Sequence, residues 1–179
     1  MSGQKIVDPE RSWAKLEDRL ASEKNPRYRL ILEQVRNHMR AELRLQLEPT
    51  METLTATPEY NFFGPDGGMV LRGRAGVEAY YREMFAQGRM NAEFEVTRIV
   101  VDDNAAVTEG TMTALVSAEE LSQAGIKQVN GVSVVTDGSY LSRVPLLVVW
   151  PVDRDGRIVG ENIYIGGTRY ERLSRVEGK

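Results

Sequence analysis

His38 is the only histidine in the chain, and its neighbours give it possible chemistry. Ile31, Val35, His38 and Glu42 recur at i, i+4, i+7 and i+11, so a helix through them carries all four along one stripe. Four residues from the ring, Glu42 can reach the imidazole, orient it and raise its basicity. Beside an apolar cavity such a pair makes a general base or proton shuttle that needs no metal. The same spacing also describes a core histidine with satisfied nitrogens, or one at the helix edge, and the residues leave these readings open. Glu109 and Glu161 lie within apolar, β-branched stretches where a half-buried strand would raise a carboxylate pKa. Facing outward, they would instead pair with Arg98 or Arg143. Tyr60, Phe62, Trp150 and Tyr164 are aromatic strand residues that could wall a cavity, Tyr60 or Tyr164 donating to a developing oxyanion, or could be plain core. Tyr81 and Met112 are further candidates for the wall.

These groups need a scaffold, and the chain predicts one with helices first and strands after. Asp8-Pro9 reads as a helix start, and Trp13, Leu16 and Leu20 follow at helical spacing up to Asn25-Pro26. Since only a narrow stripe is apolar, that helix must lie against its own domain or a second subunit. A long helix is expected over 27–47 and a short one from Pro49 through Leu54. A strand at 59–63 should run into the loop Gly64-Pro65-Asp66-Gly67-Gly68, followed by a third main helix over 74–87 capped by Gly88. Strands are expected at 93–101, 106–115, 140–152 and 157–165. Asp102-Asp103-Asn104 and Asp153-Arg154-Asp155-Gly156 turn them into two hairpins. The architecture is α+β: a bent antiparallel sheet packed on three helices around a central pocket, the 27–47 helix on its concave face. The connection over 117–139, with a helical turn at 118–123, is too long for a simple turn. It should be a flap over the pocket mouth or an ordered surface excursion. Residues 1–26 read as a helical extension, 27–170 as the domain and 171–179 as a charged tail that frays.

Composition removes several function classes. With 41% apolar residues, 27% charged residues and a net charge of −3, the chain lacks the basic footprint that nucleic acid requires. It contains no cysteine, which excludes disulfides, thiolate metal sites and a cysteine nucleophile. With one histidine besides, an all-protein zinc site is not expected. No phosphate loop, GxGxxG, HExxH or calcium-loop spacing occurs. No stretch is long and apolar enough for a membrane span, so a cytoplasmic protein without a cofactor is the expectation.

The segments RYRLILEQVRNHMRAEL, EYNFFG, GRAGVEAYYREMF, FEVTRIVVDDNAAVTEGTM and LLVVWPVDRDGRIVGENIY together resemble the nuclear transport factor 2-like superfamily, in its polyketide-cyclase-like (SnoaL-like) branch, over about residues 27–170. The resemblance implies a cone-shaped α+β barrel around a deep pocket, commonly in a dimer. It implies a small apolar ligand, aromatic, polyketide or steroid-like. The catalytic set of epoxide-hydrolase-like members would fall here on Gly110, Met112 and Ile163, so that set is missing. A one-residue slip would bring in Glu109 and Thr111 instead. The expected function is a cofactor-independent enzyme performing isomerisation, elimination or lyase chemistry, with His38 as base. A hydrophobic-ligand binder, or an interaction module with a vestigial pocket, are the alternatives.

Overall fold

The computed structural model describes residues 5–65, 67–87 and 92–176. A 3-10 turn at Pro9–Arg11, capped by the Asp8 side chain, leads into α1 (Ala14–Ser22). Then follow α2 (Pro26–Leu43), α3 (Leu47–Glu52), β1 (Leu54–Phe63), β2 (Met69–Arg72) and α4 (Gly73–Ala86). The second half is β3 (Ala92–Val101), β4 (Ala105–Ser117), α5 (Ala118–Gln123), the small hairpin β5 (Gln128–Val129) and β6 (Val132–Ser133), β7 (Ser139–Pro151), β8 (Ile158–Ile165) and β9 (Leu173–Arg175). The cap expected at Gly88 lies outside the described residues.

The α+β expectation holds. The four strands expected after residue 90 form the antiparallel meander, in the spatial order β8-β7-β4-β3. Beyond β8 the sheet departs from the sequence reading, because β1 joins β8 in parallel and β2 extends the far edge. The sheet is therefore mixed, and it stays open between β2 and β3 rather than closing into a barrel. Its curvature has a local cause. β3 is bulged between Val96 and Arg98, and β1 between Leu54 and Glu59. Gly110 and Gly160 face these two irregularities, and a Cβ there would lie 2.0 Å from the Glu95 carbonyl oxygen and 1.7 Å from that of Glu59.

Helix α2 ends four residues earlier than expected, because Leu45 adopts a left-handed conformation (φ 57°) and the chain restarts at Leu47. Its apolar stripe of Ile31, Val35 and Met39 shares one core with Phe94, Val148 and Trp150 of the concave face. The 117–139 connection is not a flap. It packs on a second small core of Val116, Leu121, Val129, Tyr140 and Leu173, and none of its described residues reaches the cavity. The tail is not frayed throughout either, since β9 pairs with β7 and buries Leu173.

The N-terminal helix belongs to this body. Trp13, Leu16 and Leu20 are buried, and the guanidinium carbons of Arg40 and Arg44 lie 5.6 and 5.1 Å from the Trp13 ring centroid. Ser12 Oγ accepts the backbone N–H of Phe94 at 3.0 Å. Replacing Trp13 by alanine should cost about 3–5 kcal/mol, the usual range for a buried tryptophan. In calorimetry the melting temperature should drop on the order of 10 °C. An unchanged melting curve would mean that this segment is only loosely attached.

Candidate active site

Strand alternation decides what the hollow contains. From β7, Ser142, Val144, Leu146, Val148 and Trp150 point inward; from β8, Glu161, Ile163 and Ile165. With Met112, Phe94, Phe62, Tyr80 and the α2 residues Met39, Glu42 and Leu43 they enclose a cavity of about 420 Å³, of the size that takes small organic ligands. Its walls are apolar. Glu42 and Glu161 supply carboxylates at the floor, and Gly64, Pro65, Gly167, Thr168 and Arg169 also line it.

Behind the floor lies His38, fully buried. Its Nδ1 is 2.6 Å from Thr53 Oγ1, and Thr53 spends its single hydroxyl proton on the Thr50 carbonyl at 2.6 Å. Nδ1 must therefore be the donor, which fixes the tautomer. Nε2 then faces Glu161 at 3.1 Å, Tyr81 OH at 3.0 Å, Tyr60 OH at 3.4 Å and Glu42 at 3.9 Å. At 3.1 Å, a proton arriving on either Nε2 or the Glu161 carboxylate is held in a hydrogen bond to the other. Tyr60 and Tyr81 are 2.9 Å apart and complete the cluster. Trp150 meets the ring edge-on at 5.6 Å between centroids and donates its own N–H to Thr108.

The electrostatics separate these groups. Burial, and then the charge of Glu161, hold the Glu42 carboxyl well above the ordinary carboxylate range. Burial likewise raises both phenols, so Tyr60 and Tyr81 remain protonated donors. For Glu42 the folded state keeps a proton that the unfolded chain releases near the ordinary value of 4.5. The fold thus binds more protons above that pH, and its stability falls as pH rises through the window. In chelator-treated protein, Glu42→Gln should change the melting temperature little at pH 4 and raise it by a few degrees at pH 8, read by thermal denaturation. Equal shifts at both pH values would contradict the buried, protonated carboxyl.

Several sequence expectations need correction. Tyr164 is exposed and stacks on Phe63 with centroids 4.7 Å apart, on the outer face. Its parity is opposite to that of Glu161, so one regular strand could bring only one of them inside. Glu109 pairs with Arg98 at 3.2 Å on the same outer face, because Met112 takes the inward parity. This also rules out the slipped register. His38 does not line the cavity, and Thr53 rather than Glu42 orients its ring. Tyr81 joins the polar cluster while Tyr80 takes the wall. Tyr60, Phe62, Trp150, Glu42 and Glu161 do converge here, Tyr60 within the polar cluster. Thr53, Met39, Met84, Phe94 and Arg169 were missed, and only Met39, next to His38 on the helix, carried a signal. His38, Glu42 and Glu161 each offer one ligand atom within 4.8 Å of the others, so these three could hold a metal.

The SnoaL-like domain family matches residues 35–161, most of the chain. The chain belongs to this family. Among curated proteins no sequence relative matches. Solved SnoaL-like and related structures share the fold at low identity. A candidate SnoaL-like polyketide cyclase from Shewanella putrefaciens CN-32 superposes with a TM-score of 0.59 at 12% identity, covering 93% of each chain. An epoxide hydrolase of the LEH-like type from M. tuberculosis gives 0.51 at 20% identity, over 78% of this chain and 85% of the other. A protein with cystatin-like fold from Methylobium petroleophilum PM1 gives 0.52 at 15%, over 83% and 85%. This SnoaL-like chain has Gly110, Met112 and Ile163 where the resemblance implies an epoxide-hydrolase set, and Met112 and Ile163 serve as apolar wall.

Proposed function

We propose that the protein is a cofactor-independent enzyme that moves protons on a small, largely apolar organic molecule, by isomerisation, elimination or lyase chemistry. One observation carries the reading: Glu161 stands at the floor of an apolar cavity with the tautomer-fixed Nε2 of His38 directly behind it. Glu161 is the proton acceptor that touches substrate, and His38 positions it and shares the proton. Glu42, kept protonated by burial, is the matching donor for a developing oxyanion. Tyr60 and Tyr81 flank the same Nε2, while Thr53 holds the far side of the imidazole. Family membership supports the ligand class, polyketide-like or otherwise aromatic.

The test has two stages. Native mass spectrometry identifies what the purified protein retains, and proton NMR in D2O follows deuterium uptake by a panel of enolisable cyclic and aromatic ketones. Catalysed exchange at the carbon next to the carbonyl, lost in Glu161→Gln, is the expected result. Tight binding with no exchange would favour the second reading, a non-catalytic carrier, which the complete enclosure of His38 supports. A filled core would have suited an interaction module, and a cavity of about 420 Å³ argues against one. We also expect a cytoplasmic homodimer joined through the outer sheet face, where Val100, Val159 and Tyr164 are exposed. No helix among the described residues is long and apolar enough to cross a membrane.

A further inference from the structure

We propose that the cavity floor is also a binding site for a divalent transition-metal ion, with His38 Nε2 and one oxygen each of Glu42 and Glu161 as its protein ligands. Sequence gave no reason to expect it, because the third ligand comes from β8, more than a hundred residues after the helix that carries the other two. Nitrogen and oxygen ligands stand about 2.0–2.2 Å from such an ion, which puts neighbouring ligand atoms roughly 3–3.5 Å apart. His38 Nε2 and Glu161 are already 3.1 Å apart. Glu42, at 3.9 Å from Nε2 and within 4.8 Å of Glu161, has to swing inward to join them, and no hydrogen bond among the described residues restrains its carboxylate.

Three further observations point to a metal ion rather than to a chance cluster. A metal needs the imidazole lone pair, and the Thr50–Thr53 relay places that lone pair on Nε2, the nitrogen that faces both carboxylates. The Nδ1–H held by Thr53 is the outer-shell support that ligating histidines generally have. The charge balances once the ion displaces the protons the cluster carries, since a neutral imidazole and two carboxylates then give −2. Arg169 is the cation near the opening, and it is already paired with Glu120 at 2.8 Å. Because Glu42 and Glu161 line the cavity, the unfilled coordination positions open towards it, where water or a ligand oxygen would complete the shell. One nitrogen and two carboxylates suit Zn²⁺, Co²⁺, Mn²⁺ or Fe²⁺ and disfavour Cu(I). Only the consequence rests on the acid–base reading: the ion would take the lone pair and the carboxylates that the proton uses, so an occupied site would be a resting, inhibited state.

The test is titration of EDTA-stripped, dialysed full-length protein at pH 7 with Co²⁺, followed by visible absorption, and with Zn²⁺, followed by calorimetry. One Co²⁺ per chain, displaced by Zn²⁺ with a dissociation constant in the micromolar range or below, is the expected result. His38→Gln and Glu161→Gln should abolish uptake, and Glu42→Gln should weaken it at least tenfold. Thr53→Val keeps all three ligands and should weaken binding about 10–100-fold through loss of the outer-shell contact. Glu42 borders the cavity, so its variant is read alongside its own melting curve to show that it is folded. No uptake at 1 mM Zn²⁺, or uptake unchanged in both Glu42→Gln and Thr53→Val, would overturn the site. Metal-free protein that catalyses deuterium exchange but takes up no Zn²⁺ rejects the metal site alone. Protein that binds Zn²⁺ and never catalyses exchange rejects the enzyme reading alone.

Discussion

Glu161→Gln should lower catalysed proton exchange by at least about a hundredfold while leaving the fold intact, the loss usual for removing a positioned acid–base group. The reason lies in the fixed tautomer. Nδ1 of His38 is committed as a donor to Thr53, so a neutral ring presents a lone pair at Nε2. A glutamine at position 161 can donate its amide N–H to that lone pair at the same 3.1 Å spacing, and the buried polar cluster stays satisfied. What it cannot do is accept a proton from carbon. Rate and stability are thereby separated: exchange collapses and the melting temperature stays within a few degrees. Exchange close to the unmodified rate would remove Glu161 from the mechanism and leave Glu42 as the carboxylate in contact with substrate.

Gly160→Ala should act in the opposite way, on the fold first. A Cβ at this position would sit 1.7 Å from the Glu59 carbonyl oxygen and within 3 Å of that residue's carbonyl carbon and nitrogen, all of them backbone. No rotamer change relieves such a clash. β1 would have to move away from β8 by more than an ångström, at the point where the two strands pair in parallel. The cost should be at least about 3 kcal/mol, at the upper end for overpacking, and the melting temperature should fall on the order of 10 °C. Because the next pair in register is Tyr60 with Glu161, the surviving folded fraction should also lose exchange activity. A variant that melts with the parent protein would show that the sheet is much softer here than its register implies.

The meander was readable because hairpin turns and β-branched runs are local signals. The parallel β1–β8 pair was not, since it joins segments about a hundred residues apart and leaves no pattern in either. β2 was hidden for a different reason: four residues, Met69–Arg72, after a glycine-rich loop give no alternation to detect. Within the site, the helical stripe correctly brought His38 and Glu42 together, but periodicity says nothing about depth. Glu161 and Tyr164 were both expected inside although their parities are opposite. Counting along one strand would have forced a choice, and the apolar neighbours Ile163 and Ile165 favoured Glu161. Thr53 was out of reach, because its role depends on a carbonyl at a helix end and a ring fifteen residues upstream.

That relay also has a consequence for how the sequence can drift. The group that dictates where the imidazole proton sits is the carbonyl of residue 50, an atom that no substitution deletes. The identity of the side chain at 50 is therefore free of the site's chemistry and answers only to packing and to the hydrogen bond its hydroxyl gives the Gln46 carbonyl at 2.7 Å. Position 53 is not free: serine could replace threonine, whereas valine, nearly the same shape, would leave Nδ1 without an acceptor. Natural relatives that keep a histidine at 38 should accordingly vary at 50 and hold a hydroxyl at 53.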